Sequence, residues 1–357
     1  MPAYHLYDSW FCHIWALLPQ ERITRVRNLA WMIVGMYLSQ SVHLEKIAGK
    51  LPLAKIRRST VQRFSRFLQN KHFHVRRWYR PIARQLLKQA IAHGAVRLII
   101  DSTKVGSHYQ LLMVALAYRK RALPLAWTWV RGKRGHSSAY KQRALLRYVH
   151  ELLPKGATVS LVGDSEFGSI AVLRQLEDWN WSYVLRQRGN TKVCVSLVNK
   201  WQCFADLVLG KDHVFWYPQA LLTVEHLHHT HLLALWRTRE EEPWLLATNM
   251  PTTRDTLRAY RRRMWLDEFF GDMKGHGVDL EKTRLCHFHR LSRLVFMAAL
   301  LYLWLVTRGS QTIKRGLRHL VDRRDRRDRS IFRIGWDFVD WLLARNKRFT
   351  IRLSPYF

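Results

Sequence analysis

Val96-Arg97-Leu98-Ile99-Ile100-Asp101-Ser102-Thr103 is a short, nearly continuous apolar run that ends in an acid. A β-branched run of this length, following Gly94, has the pattern of a buried strand. A second stretch repeats the design: Val159-Ser160-Leu161-Val162-Gly163 leads straight into Asp164. Acids that end neighbouring strands converge at one edge of a sheet. Taken singly, an Asp after a strand is more often a cap or turn residue.

Outward from this pair, the chain alternates. Leu111–Tyr118 and Leu123–Val130 are expected as the next two strands, with Arg119-Lys120-Arg121-Ala122 as a basic hairpin between them. Ser138–Leu153 is expected as a helix ended by Pro154. Thr158–Val162 (strand), Ser169–Asp178 (helix) and Trp181–Leu185 (strand) follow. Such alternation implies a mixed α/β sheet. Residues 1–92 are expected to be all-helical. Leu29–Leu38 is apolar nearly all round, and Val61, Phe64, Phe67 and Leu68 repeat at helical spacing after a cap at Ser59 or Thr60. That pattern fits a helix-turn-helix and fits equally an ordinary bundle with a basic face.

Residues 190–250 carry short apolar runs and are expected as a small β-rich insertion, closed by a return strand at Trp244–Asn249. Its histidines, His226, His228, His229 and His231, are expected to alternate on an exposed strand face, since no second ligand pair stands at zinc spacing. The tail holds a helix over Arg290–Arg308, the basic stretch Arg323–Arg329 and a last amphipathic segment through Phe338, Val339, Trp341 and Leu342.

Composition narrows the chemistry. Lys+Arg number 60 against 26 Asp+Glu, a formal net charge of +34. A field of that sign attracts polyanions, either nucleic acid or an anionic membrane surface. A membrane span is not expected, because the longest unbroken apolar run, Leu294–Val306, falls short of the ~20 residues that crossing requires. No signal peptide is expected at Met1-Pro2-Ala3-Tyr4-His5. An apolar content of 48%, with Trp 16, Phe 15 and Tyr 13, excludes a disordered basic tail. Cys12, Cys194, Cys203 and Cys286 are scattered, form neither a zinc site nor a disulfide framework, and fit a reducing cytoplasm.

A third acid is expected on a basic helix over Thr253 to about Lys274, capped by Thr252 or Thr253. At ~100° per residue, Arg263 lies about 300° from Tyr260, Lys274 about 320° and Asp267 about 340°. These share one narrow stripe, while Glu268 falls near 80°, off it. Leu266, Phe269 and Met273 are left for packing. Two Mg²⁺ ions ~3.5–4 Å apart make phosphodiester cleavage feasible at neutral pH. Mg²⁺ takes hard oxygen ligands, so a few carboxylates hold it. Asp101, Asp164 and Asp267 are the expected metal ligands.

Tyr260-x-x-Arg263-x-x-x-Asp267-x-x-x-x-x-x-Lys274 resembles the Y-R-E-K signature helix of bacterial insertion-sequence transposases of the DDE class, insertion sequence four type. Asp101 and Asp164 resemble that family's first and second acids, and the β-rich insertion falls in the matching place. The third acid is usually Glu in the family. Here it is Asp267, with Glu268 beside it as second choice. The resemblance implies an α/β fold with an RNase H-like (retroviral-integrase-like) catalytic core, a helical DNA-binding domain at 1–92 and a basic helical C-terminal region at 312–357. The core would occupy 93–189 and 251–311, interrupted by the insertion at 190–250.

It further implies metal-dependent cleavage at transposon ends and strand transfer, with two Mg²⁺ ions and Mn²⁺ as a substitute. Asp101, Asp164 and Asp267 or Glu268 would be catalytic, and Tyr260, Arg263 and Lys274 would hold DNA phosphates. Trp265 is placed off the stripe, in packing, although a tryptophan here could stack on an unpaired base. The expected partners are double-stranded DNA (terminal inverted repeats and target) and a second copy in a synaptic complex, with no membrane, in the cytoplasm at the nucleoid. A transposase-derived DNA-binding protein without catalysis is the alternative.

Overall fold

The structure is a computed structural model that describes residues 2–53, 56–106, 109–131, 136–195 and 200–357. The chain opens with helices α1 (Pro2–Leu17), α2 (Ile23–Ser39), α3 (Leu44–Gly49), α4 (Arg57–Gln69) and α5 (Val75–Ala92). Strands β1 (Val96–Val105), β2 (Tyr109–Tyr118) and β3 (Arg121–Arg131) follow, then α6 (Ala139–His150), β4 (Val159–Gly163), α7 (Ile170–Asp178) and β5 (Ser182–Arg186). Next come β6 (Lys192–Cys194), β7 (Trp201–Cys203), β8 (Val214–Leu222), β9 (His228–Leu235) and β10 (Trp244–Thr248). Helices α8 (Thr253–Tyr260), α9 (Met264–Met273), α10 (Phe288–Lys314) and α11 (Ile331–Ala344) complete it.

Two compact units emerge: Met1–Leu86 with Lys104–His108 and Phe270–Phe357, and Leu87–Thr103 with Tyr109–Phe269. The division cuts across the linear segments expected from sequence, because the C-terminal helices pack with the N-terminal ones. In the first unit, α10 is the central element, buried from Leu294 through Thr312. By length and composition α10 could cross a membrane, yet 89% of its apolar window is buried inside the fold. Gly309 of α10 and Gly335 of α11 let the two helices touch: a Cβ on Gly309 would lie 1.9 Å from the Ile331 carbonyl oxygen, and one on Gly335 would lie 1.8 Å from that of Leu305. The caps expected at Ser59 and Thr60 are displaced. Helix α4 starts earlier, at Arg57, and its first residues carry no side-chain cap.

The second unit is built on a 10-stranded sheet in the order β3-β2-β1-β4-β5-β10-β9-β8-β6-β7. Strands β1, β4 and β5 run parallel, and Ile100 stands opposite Gly163 in the register. Continuous apolar runs in β2 and β3 follow from burial of both faces of the sheet. The β2–β3 turn uses Arg119 (φ 43°) and Lys120 (φ 62°), both left-handed, the pairing that matches strand twist in a two-residue hairpin.

The β-rich segment adjoins the main sheet through β10, which lies between β5 and β9 and pairs antiparallel with both. Two expectations are corrected here. His228 is buried, with Nε2 3.2 Å from Glu177 Oε1, because β9 turns that side toward the sheet's covered face. The single helix expected over Thr253–Lys274 is broken at Arg261–Arg263 by a tighter 3₁₀ turn, which resets the angular phase of α9 relative to α8.

Candidate active site

The parallel register of β1 and β4 decides which side chains meet. Asp101 and Asp164 each follow a paired position, Ile100 and Gly163, on adjacent strands. Only glycine fits at 163, where a Cβ would lie 2.8 Å from Ile100 Cγ2. Asp164 leaves its strand and caps the 3₁₀ turn Ser165–Phe167. Asp101 lies within β1, which continues to Val105, so it does not end its strand as the sequence suggested.

Both acids are anchored the same way. Ser102 N–H donates to Asp101 Oδ1 and Ser165 N–H donates to Asp164 Oδ1, each at 2.7 Å. That leaves each Oδ2 to face the Arg263 guanidinium. Arg263 Nη1 lies 3.4 Å from Asp101 Oδ2, 3.6 Å from Asp164 Oδ2 and 3.7 Å from Asp267 Oδ2. The 3₁₀ turn carries Arg263 inward, one helical turn before Asp267. Glu268 points elsewhere, pairing with Arg121 at 3.0 Å, its side chain 56% exposed.

The electrostatics follow from crowding. The Asp101 carboxyl is pushed up to about 7 by burial and by the charge of Asp267, against the pull of Arg263. Asp267 is also raised, by burial first, with Arg263 opposing and Asp164 and Glu268 adding repulsion. Burial works against the charge on Arg263, but Tyr260 and the three aspartates hold it protonated. Tyr260 is buried edge-on against Trp244, ring centroids 4.9 Å apart, and burial pushes its phenol up to about 12. It is therefore not part of an exposed stripe. Lys274 follows α9 in the first unit and pairs with Glu281 at 2.5 Å. Trp265 is half-buried.

Sequence reasoning passed over two residues. Glu166 accepts from Ser102 Oγ (2.8 Å), from Ser137 N–H (2.6 Å) and from Ser137 Oγ. It ties the residue after Asp101 to the turn carrying Asp164. Its position two residues past Asp164 was the available clue. Arg186, at the end of β5, lies 3.9 Å from Asp164 Oδ1, a placement that only the β4–β5 register reveals.

As the side chains stand, no group of three His, Cys, Asp or Glu among the described residues converges tightly enough to hold an ion. What converges is three carboxylate oxygens on one cationic nitrogen, Arg263 Nη1. The donors are hard oxygens, the kind Mg²⁺ takes, so the residues fit a divalent ion once the guanidinium yields.

The family described as Transposase DDE domain matches residues 92–304. No curated protein matches the chain. A solved structure, the cryo-EM structure of a piggyBac transposase synaptic complex with hairpin DNA, is similar at 12% identity and a TM-score of 0.44, over 96% of this chain and 77% of that one.

Proposed function

We propose, from the premise that this chain belongs to the transposase DDE domain family, that it cleaves DNA at the ends of a mobile element and joins those ends to target DNA. The observation that carries this reading is the meeting of Asp101, Asp164 and Asp267 around one cationic atom. Strand β2, antiparallel to β3 and adjacent to β1, with β1, β4 and β5 running parallel, supports an RNase H-like core. The net charge of +34 supports DNA as the partner.

Asp101, Asp164 and Asp267 would hold two divalent ions, Mg²⁺ with Mn²⁺ as a substitute. When bound, such ions supply Lewis acidity and a water of lowered pKa. The anchored Oδ1 atoms of Asp101 and Asp164 fix where each free Oδ2 points. Arg263 and Arg186 bring guanidinium charge beside the place where phosphate charge develops. Tyr260 packs the start of this turn, and Lys274 would hold a phosphate near the transposon end. In the first step, water attacks phosphorus and the bond to the 3′ oxygen breaks. The freed 3′-hydroxyl would then attack a phosphorus of the target, forming a new phosphodiester while the bond from that phosphorus to the target's own 3′ oxygen breaks and that oxygen leaves as a 3′-hydroxyl. Two copies would join two ends in a synaptic complex.

The test is a plasmid assay on the whole chain. Asp101→Ala and Asp164→Ala should each abolish Mg²⁺-dependent cleavage of a donor plasmid while DNA binding survives. Strand-transfer products in the unaltered protein distinguish transposition from simple hydrolysis. Retained cleavage in either variant refutes the assignment.

A further inference from the structure

Far from the acids in sequence, the first unit holds a polar groove between α2 and α4. Helix α4 turns Ser59, Gln62, Arg63 and Arg66 into it, spaced at the three- and four-residue intervals that share one helical face. Helix α2 contributes Arg25 and Asn28 from the opposite wall. The cavity measures about 460 Å³, within the ~300–1,000 Å³ of small-ligand sites. Its lining is polar, so it is built for hydrogen bonding and charge.

The charges within it are unequally compensated. Arg25 Nη1 already pairs with Glu21 Oε2 at 2.7 Å. Glu21 is also held by Trp78 Nε1 at 3.0 Å. Arg63 has no such partner: its Nε and Nη2 are enclosed with no acceptor, and its guanidinium lies 5.1 Å from the Phe64 ring centre. Burial works against its charge. Arg66, exposed at the rim, also lacks a carboxylate partner among the described residues. An enclosed guanidinium without a counter-charge is costly, and an anion entering the groove removes that cost.

We infer that the α2–α4 groove seats a phosphate group of a DNA backbone, held by Arg63 and Arg66 with Asn28 and Gln62 as neutral donors. The exposed Arg66 guanidinium can match phosphate oxygens in pairs, while Arg63, with Nε and Nη2 enclosed, acts chiefly through its charge. A chain of charge +34 favours polyanions over isolated anions. This rests on the DNA-transposase reading above and adds a named contact that positions the strand without reading its sequence.

The experiment is fluorescence anisotropy of the full chain with a labelled duplex across a salt series. The unaltered protein should show log affinity falling linearly with log salt. Arg63→Gln and Arg66→Gln should each reduce that slope measurably, and the double variant, which vacates the one phosphate, by about one. Thermal melts check folding, and if Arg63→Gln does not fold, Arg66→Gln alone decides. Slopes equal to that of the unaltered protein overturn the proposal while leaving DNA binding intact. Absence of salt-dependent DNA binding in the unaltered protein overturns the functional reading itself. A parallel arm adds inorganic phosphate and follows melting. Stabilisation that Arg66→Gln abolishes, with DNA slopes unchanged, would reassign the groove to free phosphate and sink the proposal.

Discussion

Arg263 Nη1 lies 3.4 Å from Asp101 Oδ2, and their side chains are 17% and 11% exposed. The same nitrogen faces Asp164 and Asp267, so one guanidinium balances three carboxylates. The residue that a sequence reading assigns to DNA also holds the three proposed ligands together. Under the proposed function, arginine and a divalent ion would compete for the same oxygens.

That competition is measurable without catalysis. Arg263→Gln removes the balancing charge, and the metal-free variant should melt below the unaltered protein. The loss should stay under the ~3–5 kcal/mol of a fully enclosed pair, since the Asp267 side chain is 44% exposed. Added Mg²⁺ should raise the melting temperature of the variant more than that of the unaltered chain. Equal shifts would show that guanidinium and ion do not share a site.

The second prediction separates adjacent acids. Asp267 faces Arg263, whereas Glu268 faces Arg121. Asp267→Asn should lower donor cleavage by at least ~100-fold, above the usual cost of losing a supporting residue. Glu268→Gln should cost only an exposed ion pair, ~1 kcal/mol or less of stability, and leave cleavage within a few-fold. Gel quantitation of nicked plasmid decides it, and the reverse ranking would move the third acid to Glu268.

Part of this site was legible in the sequence for physical reasons. Asp101 and Asp164 follow apolar runs, and a run of Val, Leu and Ile has few alternatives to a buried strand. Which strands adjoin is a long-range matter. The Ile100–Gly163 register depends on Gly163 admitting Ile100, and the place of β10 between β5 and β9 left no mark in local pattern. Helical phase put Asp267 and Arg263 together, because residues four apart are neighbours. The same phase carried Tyr260 onto a surface stripe, where the structure buries it against Trp244. A 3₁₀ turn of three arginines has no periodic signature to betray it. His228 looked exposed for a related reason: alternation tells which residues share a face, and packing decides which face is covered.

A third prediction concerns pH. Below about pH 4 Asp101 is protonated both folded and unfolded, and contributes no pH dependence. Between there and its folded value of about 7, the folded chain keeps a proton that the unfolded chain releases. Stability from this group therefore falls as pH rises through that window, then levels off. In chelator, the melting temperature of the unaltered protein should drop relative to Asp101→Asn as pH climbs from about 4 to 7. A constant difference between the two melting curves would mean that Asp101 is ionised throughout.

The last prediction addresses Glu166, whose carboxylate gathers the Ser102 hydroxyl, the Ser137 amide and the Ser137 hydroxyl. Ser102 also donates its backbone N–H to Asp101, so Glu166 steadies the residue that orients an acid. An amide in its place keeps one acceptor oxygen and turns the other into a donor, aimed at groups that already donate. Glu166→Gln should bind donor DNA as the unaltered protein does, yet cleave it roughly 10–100-fold more slowly. The Mg²⁺ concentration for half-maximal cleavage should rise as well, because Asp101 and Asp164 lose their shared brace. A purely structural role would lower melting temperature without moving that metal midpoint, and an unmoved midpoint would refute the bracing role.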